Sequence, residues 1–244
     1  MRLDQELVQR GLCESRTEAQ ELIAQGHVLV DGIVSTKQTK QVTLVNDIIL
    51  TAQRKFVSRG GEKLEGVLDQ VYGNEELIRA NIASKEALDI GSSTGGFTDC
   101  LLSYGVQHVD AVDVGTEQLH ASLRNHAKVS LFENTDIRSF SEVKKYDIVV
   151  ADLSFIPLTH VFTDAISFGA KGSEYFFLIK PQFEVGKGNT KKGIVKDETL
   201  VQELLAKYVA LAEESGLTDV KVFPCVIQGG DGNQEYFLYG KKSV

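Results

Sequence analysis

Long apolar runs are missing from this 244-residue sequence. No window approaches the roughly 18 consecutive apolar residues that cross a bilayer, so a membrane-spanning helix is not expected. The opening stretch MRLDQELVQRG has no apolar core of the kind an export signal carries, and none is expected. Cysteine is scarce as well. Cys13, Cys100 and Cys225 are odd in number, far apart and outside any CxxC spacing. That disfavours a disulfide framework and a zinc cluster, and makes a reducing cytoplasm the natural location. The five histidines lack metal-ligand spacing, so no metal is expected. Excess positive charge is absent too: a net charge of −8 argues at first against a polyanionic partner.

What is present is an ordinary globular composition, 42% hydrophobic and 25% charged, long enough for one sizeable domain and a smaller one. The charge is uneven along the chain. Residues 1–63 carry nine Lys/Arg against eight Asp/Glu, whereas the remainder carries 17 against 26. The acidity belongs to the C-terminal part, and the N-terminal part can present a local basic face.

The first fifty residues read as a separate α+β module. In SRTEAQELIAQGHVLVDGIV, Ser15 followed three residues later by Glu18 is a capping box, Ala19, Leu22 and Ile23 form an apolar stripe, and Gly26 stops the helix. HVLV-DG-IV predicts a hairpin with Asp31-Gly32 in a type I′ turn. A joint follows in TAQRKFVSRGGEKLEG, where Arg54, Lys55, Arg59 and Lys63 lie within ten residues and Gly60-Gly61 precede a helix starting near Glu62. The expected division is 1–53, a basic linker over 54–59, and a second domain over 60–244. The linker cations Arg54, Lys55 and Arg59 are either a clamp on nucleic-acid backbone or a solvated spacer.

From residue 86 strands and helices alternate, which implies an α/β fold with a doubly wound parallel sheet. Seven strands are predicted. Only QGGDGNQ separates the last two, so they should pair antiparallel. Such a seven-stranded sheet with an antiparallel last strand is the Rossmann-like methyltransferase architecture. The first turn, LDIGSSTGGFTDC, is neither GxGxxG nor a P-loop. Asp89, Gly91, Ser92, Thr94, Gly95, Gly96 and Phe97 form the candidate cofactor loop, with glycines that let a ligand approach the backbone. Asp113 after strand two is placed for ribose hydroxyls, and Asp136 after strand three for an adenine amino group. An adenosyl ligand with no diphosphate to cradle is S-adenosylmethionine.

A lysine beside an apolar strand needs a partner, because desolvating an ammonium alone is costly. Lys180 ends the run YFFLI, and ligand sites of open parallel sheets lie at that carboxyl edge. Asp152 ends strand four there, Glu235 begins the antiparallel strand seven, and Lys63 sits on the helix before strand one. This quartet resembles the Lys–Asp–Lys–Glu set of ribose 2′-O-methyltransferases of the FtsJ/RrmJ type. Lys180 would orient a ribose hydroxyl and stabilise the forming alkoxide, Asp152 and Glu235 would hold the cations, and Asp152 also borders the cofactor. Phe155 and Phe183 are candidates to stack on an extruded base, although aromatics at such positions are more often core.

The strings RLDQELVQRGLCESRTEAQELIAQGHVLVDG and KFVSRGGEKLEGVLD…LDIGSSTGGFTDCLL…VVADLSFIPL…LIKPQFEVGKG…GNQEYFLY resemble two known families. The first is similar to the alpha-L RNA-binding module of the ribosomal S-four type, and the whole chain resembles the TlyA family, historically called hemolysin A. The resemblance implies a bacterial cytosolic enzyme that 2′-O-methylates cytidine in ribosomal RNA of the small subunit, the large subunit or both. It implies phosphate contacts from Arg2, Arg10, Arg16, Lys37 and Lys40. The loop lysines Lys187, Lys191, Lys192 and Lys196 could close over RNA or remain solvated. Alternatives are a non-catalytic ribosome-assembly factor and a hemolysin, the latter without any membrane-inserting segment to support it.

Overall fold

The computed structural model describes residues 1–52, 54–141, 144–186, 188–229 and 232–243. They divide into two compact units, Met1–Arg54 and Lys55–Val244.

In the smaller unit, local sequence signals set the elements. After α1 (Leu3–Gln9), Ser15 starts α2 (Arg16–Ala24) by accepting the Glu18 N–H at 3.2 Å. The Glu18 carboxylate reaches back one residue further than a capping box requires, to the N–H of Glu14 at 2.8 Å. Strands β1 (Val28–Val30) and β2 (Ile33–Val34) form the hairpin, with φ of 52° at Asp31 and 76° at Gly32. Positive φ at both central residues is the type I′ geometry that Asp-Gly predicts. β3 (Ile48–Leu50) pairs antiparallel with the other edge of β1. Leu3, Leu7, Ala19, Leu22, Ile23, Val28 and Val30 close a small core.

The larger unit opens with α3 (Arg59–Tyr72) and α4 (Glu75–Ile82). Alternation follows: β4 (Glu86–Ile90), α5 (Gly96–Ser103), β5 (His108–Val112), α6 (Ala121–Arg124), β6 (Val129–Phe132) and β7 (Tyr146–Ala151). Then come α7 (Phe162–Phe168), β8 (Gly169–Ile179), α8 (Pro181–Glu184), α9 (Glu198–Glu214), β9 (Leu217–Pro224) and β10 (Tyr236–Lys242). The sheet order is β6-β5-β4-β7-β8-β10-β9. β10 slots antiparallel between β8 and β9, as the short connection between the last two strands requires.

Successive residues of the central strands serve opposite faces. Val149, Phe177 and Leu238 pack under α7 and α9 with Phe162, Leu205 and Tyr208. Ile148, Val150, Phe176 and Phe237 pack under α3, α4 and α5 with Leu64, Ile78 and Leu101. Coverage on both faces is why these strands read as continuous apolar runs.

The joint differs from expectation. Phe56 is buried in the core of the larger unit, and Val57 donates its N–H to Asp99 at 2.8 Å. Helix α3 begins at Arg59 rather than near Glu62. Gly60 and Gly61 therefore lie inside its first turn and do not precede it. A Cβ on Gly61 would sit 2.4 Å from the Phe56 ring, so that glycine makes room for the aromatic. Most of the expected 54–59 linker is packed structure, because an apolar ring gains more in the core than in water.

Truncation of that ring leaves a cavity that rigid helices cannot fill. Phe56→Ala should destabilise the larger unit by about 3–5 kcal/mol, read as a lower urea midpoint for the full chain. An unchanged midpoint would remove Phe56 from the core.

Candidate active site

The carboxyl edge of the sheet collects four charged side chains. Lys63 projects from α3, is 8% exposed and meets Glu235, 2% exposed, at 2.6 Å. Lys180, the first residue after β8, meets Asp152, the first residue after β7, at 2.5 Å. Two polar neighbours complete the pairs. Gln182 donates to the second Glu235 oxygen at 3.1 Å, and Lys180 donates to the Ser154 hydroxyl at 2.9 Å. Neither Gln182 nor Ser154 was expected from sequence. The available signal was proximity: each lies two residues beyond a candidate charge. Glu235 is pressed against the chain at Gly229, where a Cβ would fall 2.5 Å from its Oε1.

Cys225 reports that the two pairs share one neighbourhood. Burial pushes its thiol up to about 12; after that, Lys63 lowers it, Glu235 and Asp152 raise it, and Lys180 lowers it. Two cations and two anions thus act on one buried atom.

Beside the Lys180–Asp152 pair lies a cavity of about 390 Å³. Gly91, Asp113, Asp136, Arg138, Asp152 and Ser154 line it, with apolar walls from Val114, Leu153, Phe155 and Ile156. Gly91 has φ of 77°, and a Cβ there would strike the Asp152 carbonyl at 2.7 Å. Glycine is what lets the ends of β4 and β7 approach. Asp113 accepts the N–H groups of Ser93 at 2.8 Å and Gly115 at 2.6 Å, and each oxygen keeps a lone pair for a diol. Asp136 is paired with Arg138 at 2.5 Å, whose hydrogen bonds hold its carboxyl down at about 2. A larger cavity of about 920 Å³ between the start of α9 and residues 233–236 includes none of the four charged residues.

The first turn corrects part of the sequence reading. Asp89 is fully buried and does not line the cavity; its Oδ2 accepts the Thr98 N–H at 3.0 Å and the Thr98 hydroxyl at 2.7 Å. It ties β4 to α5. Gly95 and Gly96 stand close against other parts of the protein: a Cβ on Gly95 would meet Leu123 at 2.4 Å, and one on Gly96 would overlap Ser58. Phe97 is core, 5.8 Å from the ring of Phe237. Ser92 is buried, whereas Thr94 is exposed with its carbonyl accepting the His120 N–H at 3.2 Å. Ser93 of the same turn lines the cavity, as do Gln118 and Arg138, for which the GSSTGG string carried no signal.

The expected RNA contacts are also redistributed. Asp4, fully buried, accepts from Arg2 and Arg16 at 3.0 Å and from Gln20 at 2.7 Å. Burial raises its pKa, but those hydrogen bonds outweigh it and hold the carboxyl well below the usual range. Both guanidiniums stay partly exposed. Arg10 is committed to Glu6 at 2.8 Å and to the carbonyls of Asn46 and Thr43, so it braces the 43–46 turn and is not free for phosphate. Lys37 is exposed and Lys40 half-buried. The joint cations are spoken for: Arg54 pairs with Glu21, Lys55 with Glu65 at 2.6 Å, and Arg59 donates to the Gln228 carbonyl. Lys191, Lys192 and Lys196 are exposed. Lys187 lies outside the described residues.

Known proteins resemble both parts of this chain. The model of the FtsJ-like methyltransferase family matches residues 56–242, and that of the S4 domain matches residues 1–49. The 16S/23S rRNA (cytidine-2'-O)-methyltransferase TlyA of Mycobacterium tuberculosis is 40% identical, covering 98% of this chain and 88% of its own. This chain belongs to the TlyA family. Another TlyA, the 23S rRNA (cytidine-2'-O)-methyltransferase of Campylobacter jejuni, is 35% identical over 95% of this chain and 96% of that one. A solved structure from Streptococcus thermophilus that carries the name hemolysin has a TM-score of 0.76 at 31% identity, covering 100% of this chain and 88% of that one. Hemolysin is thus a second label within a methyltransferase family. Among the described residues no helix is long and apolar enough to cross a membrane, and no group of His, Cys, Asp or Glu could hold a metal.

Asp89 generates a pH prediction. Burial, opposed by the hydrogen bonds from Thr98, pushes its carboxyl from 3.8 up to about 7. The folded protein therefore takes up a proton as pH falls through 7, before the unfolded chain does. That proton favours folding increasingly down to about pH 4, and the contribution is lost as pH rises. Asp89→Asn should remove it, so the stability gap between wild type and variant should shift in favour of wild type from pH 8 to pH 5. A gap that stays constant in urea melts across that range would overturn the shifted carboxyl.

Proposed function

We propose that this chain transfers the methyl group of S-adenosylmethionine to the 2′-hydroxyl of cytidine in bacterial ribosomal RNA, in the cytoplasm. One observation carries the reading: Asp152 lines the adenosyl-sized cavity and at the same time holds the Lys180 ammonium. A methyl donor in that cavity and a hydroxyl beside Lys180 would thus be neighbours. The names of the two TlyA relatives support the choice of ribosomal RNA and of cytidine.

The residues present fit the cofactor. Asp113 would take the ribose diol, the 136–138 turn and Val114 would flank the adenine, and the side-chain-free edge at Gly91 leaves room next to Asp152. The cofactor supplies a sulfonium-activated methyl, so the protein's task is to align and to deprotonate. Lys180, held by Asp152 and Ser154, orients the ribose hydroxyl and stabilises negative charge on its oxygen as the O–C bond forms. As the O–C bond forms, the hydroxyl proton would pass to the Lys180 side chain or to water, the departing sulfur keeping the electron pair of the S–C bond. Lys63 adds positive potential, and Glu235, fixed by Lys63 and Gln182, balances it. Phe155, 86% exposed and 5.3 Å from Phe183, offers an aromatic platform at the cavity lip for an extruded base.

The smaller unit would hold RNA. Buried Asp4 fans Arg2 and Arg16 outward, Lys37 and Lys40 would add further charge, and the exposed Lys191, Lys192 and Lys196 would meet backbone near the reacting ribose.

Two measurements test this. Lys180→Ala should bind S-adenosylmethionine within about threefold of wild type while transfer to purified ribosomal subunits falls by at least about a hundredfold; wild-type turnover would remove Lys180 from the chemistry. Arg2→Ala/Arg16→Ala should weaken RNA binding and flatten its salt dependence by roughly two phosphate contacts; an unaltered salt slope would remove this face from the interface.

A further inference from the structure

Lys180 and Ser154 stand on separate loops, one after β8 and one after β7, and their 2.9 Å contact requires those loops to hold register. The loop after β7 is strained: Phe155 has φ of 71°, left-handed backbone that costs a bulky residue about 1–3 kcal/mol and persists only when its surroundings enforce it. Something has to supply that enforcement.

We infer that Glu184 is a positioning residue that braces the loop after β7 against the turn after β8, and so sets where Lys180 and Ser154 meet the reacting oxygen. This rests on the catalytic reading above. Glu184 ends α8, the turn that starts directly after Lys180. Its Oε1 accepts the N–H of Leu158, four residues beyond Ser154, at 2.8 Å. Its Oε2 accepts the hydroxyl of Tyr208 on α9 at 2.7 Å, and that same hydroxyl oxygen accepts the Thr159 N–H at 3.2 Å. Tyr208 is fully buried, so the brace is anchored in the core.

The turn itself is stiff enough to transmit a shift. Pro181 fixes one φ, the Phe183 N–H bonds the Lys180 carbonyl at 2.9 Å, and the Val185 N–H bonds the Pro181 carbonyl at 3.1 Å. Phe183 packs on Phe155 between the two ends. Asp152–Lys180, Ser154–Lys180, Phe155–Phe183 and Leu158–Glu184 thus form a row of cross-loop contacts, of which Glu184 is the one furthest from the chemistry. A carboxylate is an expensive choice there. Its hydrogen-bond partners are neutral donors, with Lys207 and His160 the charges that act on it at longer range, and burial pushes its pKa up. An apolar residue would pack at lower cost, but it could not accept from Leu158 and Tyr208 together.

The test uses the full chain and purified ribosomal subunits, with kcat expressed per S-adenosylmethionine-binding site so that unfolded protein does not count. Glu184→Ala should lower kcat about tenfold with KM for RNA within about twofold, since misplacing a reacting group acts on turnover. Glu184→Gln, which still accepts from Leu158, should recover part of that loss. Tyr208→Phe, which keeps the ring, should lower kcat about threefold. In a Ser154→Ala background the same Glu184 and Tyr208 changes should cost much less, because they act through Ser154 and Lys180. Wild-type kcat in Glu184→Ala and Tyr208→Phe, or losses equally large with and without Ser154, would overturn the brace. If Glu184→Ala does not fold, the Gln and Phe variants decide by the same criterion. Full activity in Lys180→Ala would instead bring down the catalytic reading itself, which separates the two failures.

Discussion

The pairing of the Lys180 ammonium with Asp152 is the interaction on which the rest of this edge depends. β8 delivers Lys180 out of a strand whose last residues are all buried, so the ammonium emerges where water is scarce. Alone, it would have to give up its charge or pull the strand end apart. Asp152 at 2.5 Å and the Ser154 hydroxyl at 2.9 Å give it partners and fix its direction. Ion pairs of this kind rarely raise stability above that of an apolar replacement, while removal of one partner from a buried pair costs about 3–5 kcal/mol. Their retention twice at one edge makes sense when the edge has electrostatic work to perform.

Topology brings the four charges together. The ends of β7 and β8 are adjacent because those strands pair in parallel. Glu235 joins them only because β10 runs antiparallel between β8 and β9, which turns the start of one strand toward the ends of the others. Lys63 arrives from α3, which lies on the face opposite α7 and α9. One inserted antiparallel strand therefore completes a charged quartet at the edge beside the cavity.

Cation placement follows a common rule in both units: arginines are aimed by acids. Asp4 fans Arg2 and Arg16, Glu6 pulls Arg10 into a turn, and Glu21 takes Arg54. A basic patch counted on the sequence overstates the charge available to a polyanion, since cations such as Arg10 and Arg54 are taken up by acids and carbonyls of their own unit. The exposed lysines of the 188–196 segment escape that rule because glycines there leave them few neighbours.

Much of the fold was legible in the chain. Asp31-Gly32, Ser15 with Glu18, and the apolar strand runs act over a few residues, where backbone sterics and side-chain spacing decide the outcome. Lys180, Asp152 and Glu235 were legible for a related reason: strand ends are readable, parallel order brings Asp152 and Lys180 together, and the antiparallel last strand brings Glu235 to the same edge. Three things were not. Phe56 reads as linker because nothing local reveals that Gly61 has opened a hole for its ring. The packing partners of Asp89, Gly95, Gly96 and Phe97 stay hidden because a glycine that admits a leucine looks the same in sequence as one that admits a cofactor. Ser154, Gln182 and the Glu184–Tyr208 brace gain their partners from residues 26, 53 and 24 positions away, respectively. Short-range chemistry determined the elements and their order. Which polar groups touch depends on side chains meeting across loops, and only the packed tertiary structure decided that.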